Sequence, residues 1–456
     1  MVAASFLTNL TAIGLAIIIV AILVLDVHRD IRRLVSGRNV VLLSIIAWFL
    51  VEAIQLPVEV QRYSQSSYNF GVFCVALAML AFLIGYYGIS QGCRLFDGPA
   101  SHIRVLENPD LLWRVVLIGA LLGFAPIAYY SGLRLTQLLH DILGMRKTWG
   151  GLIGRGQYGD ARSAALMLEM FVRGVGPFAV LLMLNRKVPL SRRWACAVIA
   201  LWPILRAFGS GTRTAMITTT LPIFAVLYWV AMPRLQRRMV WIGLASTPLV
   251  YLFMAAMVGS RSSGVFSWQG AENTDYVGHE MFRELLYITQ RVPKEVDYQL
   301  GYFYYVELVN PIPRFLWEGK PKVSSPVFIS RLYGRVFPGT DTVYVTTHPG
   351  IIGEMYLNLG IAGVVVLSCV GGWLVRGWDR LVAFYRNSTV TMIFYSAGLA
   401  TLIVLGRSFS ANLFYMLAAF AMLAYVVDRY TARRPAMRMA NNRSSSQPKL
   451  PARLAR

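Results

Sequence analysis

Arginines set beside glycine and serine are the residues best suited to chemistry in this chain. Arg213 sits in the Gly-Ser-Gly-Thr-Arg-Thr turn at 209–214, and Arg407 in the Gly-Arg-Ser-Phe-Ser turn at 406–410. Small residues there let a ligand approach the backbone closely. A guanidinium is a planar, permanently charged fork that grips two phosphate oxygens at once, so these positions suit a phosphorylated ligand. The polar stretch 259–350 adds Arg261, Arg314 and Lys320 as further binding candidates. His348 closes that stretch and titrates near neutrality, which suits it to accept a proton from a hydroxyl group. Glu354, just beyond, is the second candidate base. Trp317 and the cluster Tyr302, Phe303, Tyr304 and Tyr305 offer flat faces on which a ligand ring can stack. Each has a plainer reading. The arginines could be solvated or paired with Glu280, Glu284 and Glu295, His348 could be an ordinary loop residue, and Glu354 a carboxylate at a helix start. The aromatics would equally form an interfacial belt, a reading that suits all but Trp317 better.

The elements that must position these residues are membrane helices. Hydrophobic residues make up 56% of the chain and charged residues 14%, outside the soluble range. An apolar run of roughly 20 residues crosses a hydrocarbon core of about 30 Å, and about eleven such runs are present. They cover 6–25, 39–55, 69–90, 111–130, 163–184, 194–208, 214–232, 240–258, 351–375, 389–405 and 413–427. The sixth is short and meets the seventh at 209–212, so the two suit a hairpin. The first lacks an early basic region and a small-residue cleavage site, as expected of a retained helix. The chain therefore divides into a first helical block (1–258, with a loop at 131–162), a large loop (259–350), a second helical block (351–427) and a basic, disordered tail (428–456).

Short loops that keep Lys and Arg face the cytoplasm. Arg29, Arg32, Arg33 and Arg38 fall on one side with Arg186, Lys187, Arg192 and Arg193, and with Arg234, Arg237, Arg238, Arg376, Arg380 and Arg386. That side is expected to be cytoplasmic, with the C-terminal tail. The N-terminus and the loops 131–162 and 259–350 are then expected outside. Much of the net charge of +22 is thereby assigned to the membrane surface, not to nucleic acid. Glu169 and Arg173 are spaced for an ion pair within one helix, while Glu52 has no evident partner and Arg206 suits snorkelling. The segment around Met281, Phe282, Leu285 and Leu286 has helical apolar spacing, as in a helix lying on the membrane.

Other chemistries find no motif. Cys74, Cys196 and Cys369 fall inside apolar runs and Cys93 at a cytoplasmic end, which leaves the outer loops without a disulfide framework. The histidines are scattered, no metal-ligand spacing is seen, and no phosphate-binding loop for ATP occurs. No cofactor is expected.

The run 301–321, in which a Gly-aromatic stretch leads to Pro311-Ile312-Pro313-Arg314, Trp317 and Lys320-Pro321, resembles bacterial oligosaccharide repeat unit polymerases, the Wzy-type O-antigen polymerases. The following 348–363, opening His-Pro-Gly, is similar to a helix start shared by these polymerases and the related O-antigen ligases. The turn at 209–214 is similar to the family's Gly-Ser-Arg turn but carries an inserted Gly-Thr. The resemblance implies an all-α, polytopic integral membrane protein of GT-C-like architecture with one large periplasmic loop containing amphipathic helices. It implies a metal-independent glycosyltransferase of the bacterial inner membrane. Such an enzyme joins repeat units carried on undecaprenyl pyrophosphate into O-antigen or exopolysaccharide. Expected partners are that lipid-linked glycan, membrane lipids, and a chain-length regulator and flippase of the same pathway. Two alternatives stand beside it: an O-antigen ligase acting on lipid A core, and a lipid-linked glycan transporter. The run 311–321 favours the polymerase over the ligase, and the lack of paired hydrophobic halves speaks against the transporter.

Overall fold

The structure is a computed structural model that describes residues 2–29, 31–55, 64–88, 109–130, 168–209, 213–230, 235–243, 281–309, 316–321, 323–336, 347–384 and 389–409. Isolated positions at 134, 245–246, 249, 312, 417–418, 421–423 and 425 are also described. Regular structure among these residues is helical. Hydrocarbon offers no partner for backbone N–H and C=O groups, so an apolar run closes its hydrogen bonds on itself.

The helices are α1 (Val2–Arg29), then α2 (Gly37–Ile45), which continues through a π-helical stretch (Ile46–Leu50) into α3 (Val51–Gln55), and α4 (Gln65–Gly88). Next come α5 (Pro109–Tyr130), α6 (Glu169–Leu184), α7 (Leu190–Gly209) and α8 (Arg213–Val230). The later part holds α9 (Met281–Arg291), α10 (Tyr302–Val309), α11 (Ser325–Leu332), α12 (Gly350–Phe384) and α13 (Thr389–Leu405). Among the described residues, five stretches are long and apolar enough to cross a bilayer: Leu10–Arg29, Gly37–Gln55, Gln65–Gly88, Pro109–Pro126 and Gly350–Arg380. Met170–Leu184, Met216–Tyr228 and Ile393–Leu405 are shorter apolar helices. The run expected at 194–208 is longer than its apolar part, because α7 begins at Leu190 and carries Arg192 and Arg193 in its first turns. Arg193 Nε donates to the Met183 carbonyl at 2.7 Å and so closes the end of α6. The α7–α8 hairpin forms as expected. The runs at 240–258 and 413–427 are described only in part, Arg134 is the one described position of 131–162, and Cys93 and the 428–456 tail lie outside the described residues.

Two large packing groups and a smaller one around Tyr228, Tyr395 and Leu399 hold the described helices together. One large group joins α1–α4, α9 and α12 around Phe49, Leu50, Phe282, Leu285 and Leu357; the other joins α5–α8 and α13 around Phe178, Leu182, Val226 and Ala397. Helices α4 and α12 approach very closely, with Gly85 set on the Cys369 backbone and Gly372 on that of Phe82. Any side chain at either glycine would collide with the facing backbone, the usual device for close helix contact in a membrane. Ile17, Ile18, Val24, Leu25, Phe73, Leu80 and Ile84 point outward, which suits lipid and not water.

At one end Asp379 of α12 accepts hydrogen bonds from the Gly37 N–H (2.6 Å), the Arg38 N–H (3.2 Å), Tyr86 Oη (2.9 Å) and Tyr395 Oη (2.6 Å). Arg38 pairs with Asp26 there, and Arg376 donates to the Tyr86 carbonyl. One carboxylate thus ties the start of α2, the end of α4 and the start of α13 to α12. These are the ends rich in basic residues.

At the opposite end the described residues of 281–336 fold onto the bundle. Helix α9 is amphipathic as expected, but its apolar side is covered by protein instead of lying on the membrane. Phe282 packs edge-on against Tyr68, and Met281, Leu285, Leu286 and Ile288 join the main core. Glu52, which lacked an evident partner in the sequence, caps this helix. Its Oε2 accepts from the Phe282 N–H at 2.8 Å and the Arg283 N–H at 3.3 Å, satisfying donors that a helix start leaves open. The Glu169 side chain, expected to pair with Arg173, lies outside the described residues, and Arg206 is buried.

Helix α12 is interrupted at Gly360, whose φ of 64° and ψ of −150° are non-helical. The break frees carbonyls in the preceding turn. The Gln299 N–H donates to the Leu357 carbonyl at 3.1 Å and the Leu300 N–H to that of Asn358 at 2.8 Å. Tyr298 lies flush against Gly360, where a Cβ would meet its ring at 3.0 Å. The loop chain therefore docks into a gap in the span.

Candidate functional site

The site forms where α12 begins and α13 ends. The Ile351 N–H donates to the Gly406 carbonyl at 3.1 Å, which brings the His-Pro-Gly start of α12 against the Gly-Arg-Ser turn after α13. His348 Nδ1 lies 3.1 Å from Ser408 Oγ. Glu354, one turn into α12, is fully buried. Its Oε1 accepts from Ser325 Oγ at 2.5 Å and its Oε2 from the Phe409 N–H at 2.7 Å. The side chain of Glu354 thereby joins α12, the start of α11 and the turn that follows Arg407. Tyr304 of α10 packs edge-on against Phe409, with ring centroids 5.4 Å apart. Asn358 donates to the Glu354 carbonyl at 2.8 Å, and its side chain lies at the Tyr304 hydroxyl.

Electrostatics give these groups distinct states. Burial, reinforced by the adjacent Arg407 guanidinium, pushes His348 down from its ordinary value to about 3. The ring is therefore neutral at physiological pH. It offers a hydrogen bond to a hydroxyl but is a weak base, since effective bases titrate near the working pH. Burial, with the nearby Glu354 charge, raises the Tyr304 phenol well above its usual range and keeps it protonated.

The structure brings together three of the candidates read from the sequence: His348, Glu354 and Arg407. Arg213 opens α8, which runs alongside α13. Tyr228, near the far end of α8, packs with Tyr395 in the first half of α13, so the helices are antiparallel and Arg213 is set toward the end where α13 finishes. The Arg213 side chain, Arg261 and Arg314 lie outside the described residues. Lys320 is buried and its Nζ donates to the Ile312 carbonyl at 2.9 Å, so it braces its own segment. Trp317 is half-buried, and its carbonyl accepts the Lys320 N–H at 3.2 Å. Ser325, Ser408 and Asn358 were not singled out from the sequence. Ser408 adjoins Arg407 in a turn already marked, whereas Ser325 carries no local signal beyond preceding a proline at a helix start. Among the described residues no three His, Cys, Asp or Glu side chains converge as a metal site would require. No protein-family model, curated protein or solved structure matches this chain.

Proposed function

We propose that the chain polymerises lipid-linked oligosaccharide repeat units at the outer face of a bacterial cytoplasmic membrane. The observation that supports this reading best is the meeting of Arg407, His348 and Glu354 at the bundle end opposite the basic helix ends. A growing glycan would pass from its undecaprenyl pyrophosphate carrier to a sugar hydroxyl of the incoming unit. The bond from the sugar to pyrophosphate breaks, a bond from the sugar to the hydroxyl oxygen forms, and the hydroxyl proton leaves to water or to the departing pyrophosphate. The pyrophosphate is already activated, so no nucleotide enters the reaction.

Arg407 would hold the negative charge that builds on pyrophosphate, the kind of preorganised contact that contributes most in a water-poor site. His348, neutral and steadied by Ser408, would accept a hydrogen bond from the attacking hydroxyl and orient it. Glu354 would hold the Arg407 turn and α11 in register. Trp317, Arg213, Arg261 and Arg314 complete the proposed glycan and phosphate contacts, whereas Lys320 braces its own segment, with the N-terminus outside and the C-terminal tail in the cytoplasm. The glycan ladder of a deletion strain tests this reading. Polymerisation requires that the ladder collapse to a single repeat unit still attached to the lipid A core. Free polymer that fails to reach the core would instead indicate a ligase. Accumulation of lipid-linked units on the cytoplasmic side would indicate a transporter.

A further inference from the structure

One side of α10 faces away from the protein, and its depth identifies what covers it. Phe303, Val306 and Glu307 are buried, while Tyr302, Tyr305 and Leu308 follow at three-residue spacing on the opposite, exposed side. Leu300 before the helix and Ile312 and Leu316 after it are exposed as well, with Leu300, Leu308 and Leu316 at 79%, 66% and 70%. Large apolar groups so open to water would be costly in an aqueous loop.

The backbone fixes the level of this stripe. Arg376 Nη1 donates to the Tyr86 carbonyl, at the basic end of the bundle, and marks the inner boundary of α12. A hydrocarbon core of about 30 Å takes roughly 20 helical residues, which leads from Arg376 back to the turn of Leu357 and Asn358. That turn is where the Gln299 and Leu300 N–H groups are bonded. Leu300 therefore stands at the outer hydrocarbon boundary, and α10 starts there. Leu359 and Ile361, on the adjoining part of α12, are exposed as well, so the stripe continues the lipid-facing surface of the span.

We propose that α10 and the described residues flanking it, from Leu300 to Leu316, lie in the membrane interface with the outer leaflet covering Leu300, Tyr302, Tyr305, Leu308, Ile312 and Leu316. A helix with one apolar side buried among acyl chains and tyrosines at headgroup level is a stable interfacial arrangement. The opposite side of the same helix carries Glu307 and, with Tyr304, borders the Glu354 cluster. The cluster then lies one helix thickness from the outer leaflet, at the level where a substrate on a lipid carrier arrives. The placement of α10 rests on the membrane reading alone, and only this last consequence rests on the proposed polymerase activity.

Nitroxide labels read the placement directly. Single cysteines replace Leu308, Leu316 and the exposed Glu318 in a background with the 4 native cysteines changed to serine, and each variant is reconstituted in phosphatidylglycerol–phosphatidylethanolamine vesicles. Power saturation compares collision with oxygen, which concentrates in lipid, and with a water-soluble nickel chelate. Labels at 308 and 316 are expected to favour oxygen several-fold over the label at 318. A nickel preference at 308 and 316 equal to that at 318 overturns the proposal by placing the stripe in water. Weak collision with both reagents overturns it too, because protein, such as a second copy of the chain, then covers the stripe. Loss of glycan polymerisation activity would leave this readout unaffected.

Discussion

Removing the Glu354 carboxyl should damage the fold and the chemistry to different degrees, and two substitutions separate them. In Glu354→Ala, the Ser325 hydroxyl and the Phe409 N–H both lose their acceptor at a fully buried position. Leaving a buried donor unsatisfied costs about 1–3 kcal/mol, so the pair should lower stability by roughly 2–6 kcal/mol before any cavity is counted. Glu354→Gln keeps the shape. Its amide oxygen can accept the Phe409 N–H while its NH2 donates to Ser325 Oγ, so stability should fall by less than about 1 kcal/mol. Melting temperature in detergent, read by the loss of the monodisperse peak on size-exclusion chromatography, measures the first effect. Glycan ladders at matched membrane abundance measure the second. If Glu354 acts by holding the Arg407 turn, Glu354→Gln retains most of the ladder and Glu354→Ala loses it. An unchanged melting temperature for Glu354→Ala would refute the bridging role. A stable Glu354→Gln with no ladder would assign the carboxyl to the reaction itself.

Three other perturbations follow from the same geometry. Arg407→Lys should be nearly as harmful as Arg407→Ala, each reducing rate on the order of a hundredfold, because lysine keeps charge but loses the fork; exposed Arg331 should tolerate both changes in the same ladder assay. His348 is held far below its ordinary value, so the unfolded chain takes up a proton that the folded chain refuses. Its stabilising contribution is therefore complete above about pH 6.5 and declines as pH falls from there toward 3, and melting temperatures of His348→Asn should fall less steeply with acid over that window. Asp379→Ala should destabilise more than Asp379→Asn, since alanine removes an acceptor shared by two tyrosine hydroxyls and two backbone N–H groups and leaves the Gly37 N–H to Tyr395 and Tyr395 to Val35 contacts in its place, and chemical denaturation of the purified protein reads the difference.

The helices were legible where lipid dictates composition. The run at 389–405 matches α13 at both ends, and 111–130 matches α5 within its first turn. Polar starts such as that of α7 were missed because interfacial residues continue a helix beyond its apolar part. Long-range polar pairs left no trace: Glu52 meets Phe282 and Arg283 across more than two hundred positions, and only folding brings them together. Gly360 looked like one more small residue in an apolar run, and only its backbone shows the break that receives Leu300. Within the site, residue type pointed to Arg407, His348 and Glu354. It could not reveal that burial and a neighbouring cation make His348 a weak base, or that Lys320 turns inward to its own loop.

The most direct test of the proposed activity uses purified protein and two populations of repeat unit on undecaprenyl pyrophosphate, one of them radiolabelled. With no nucleotide present, products carrying two or more units should accumulate with release of undecaprenyl pyrophosphate, and the Arg407→Ala protein at equal monodispersity should form them on the order of a hundredfold more slowly. Wild-type protein that binds the lipid-linked unit yet leaves every glycan at its starting length would contradict the polymerase reading.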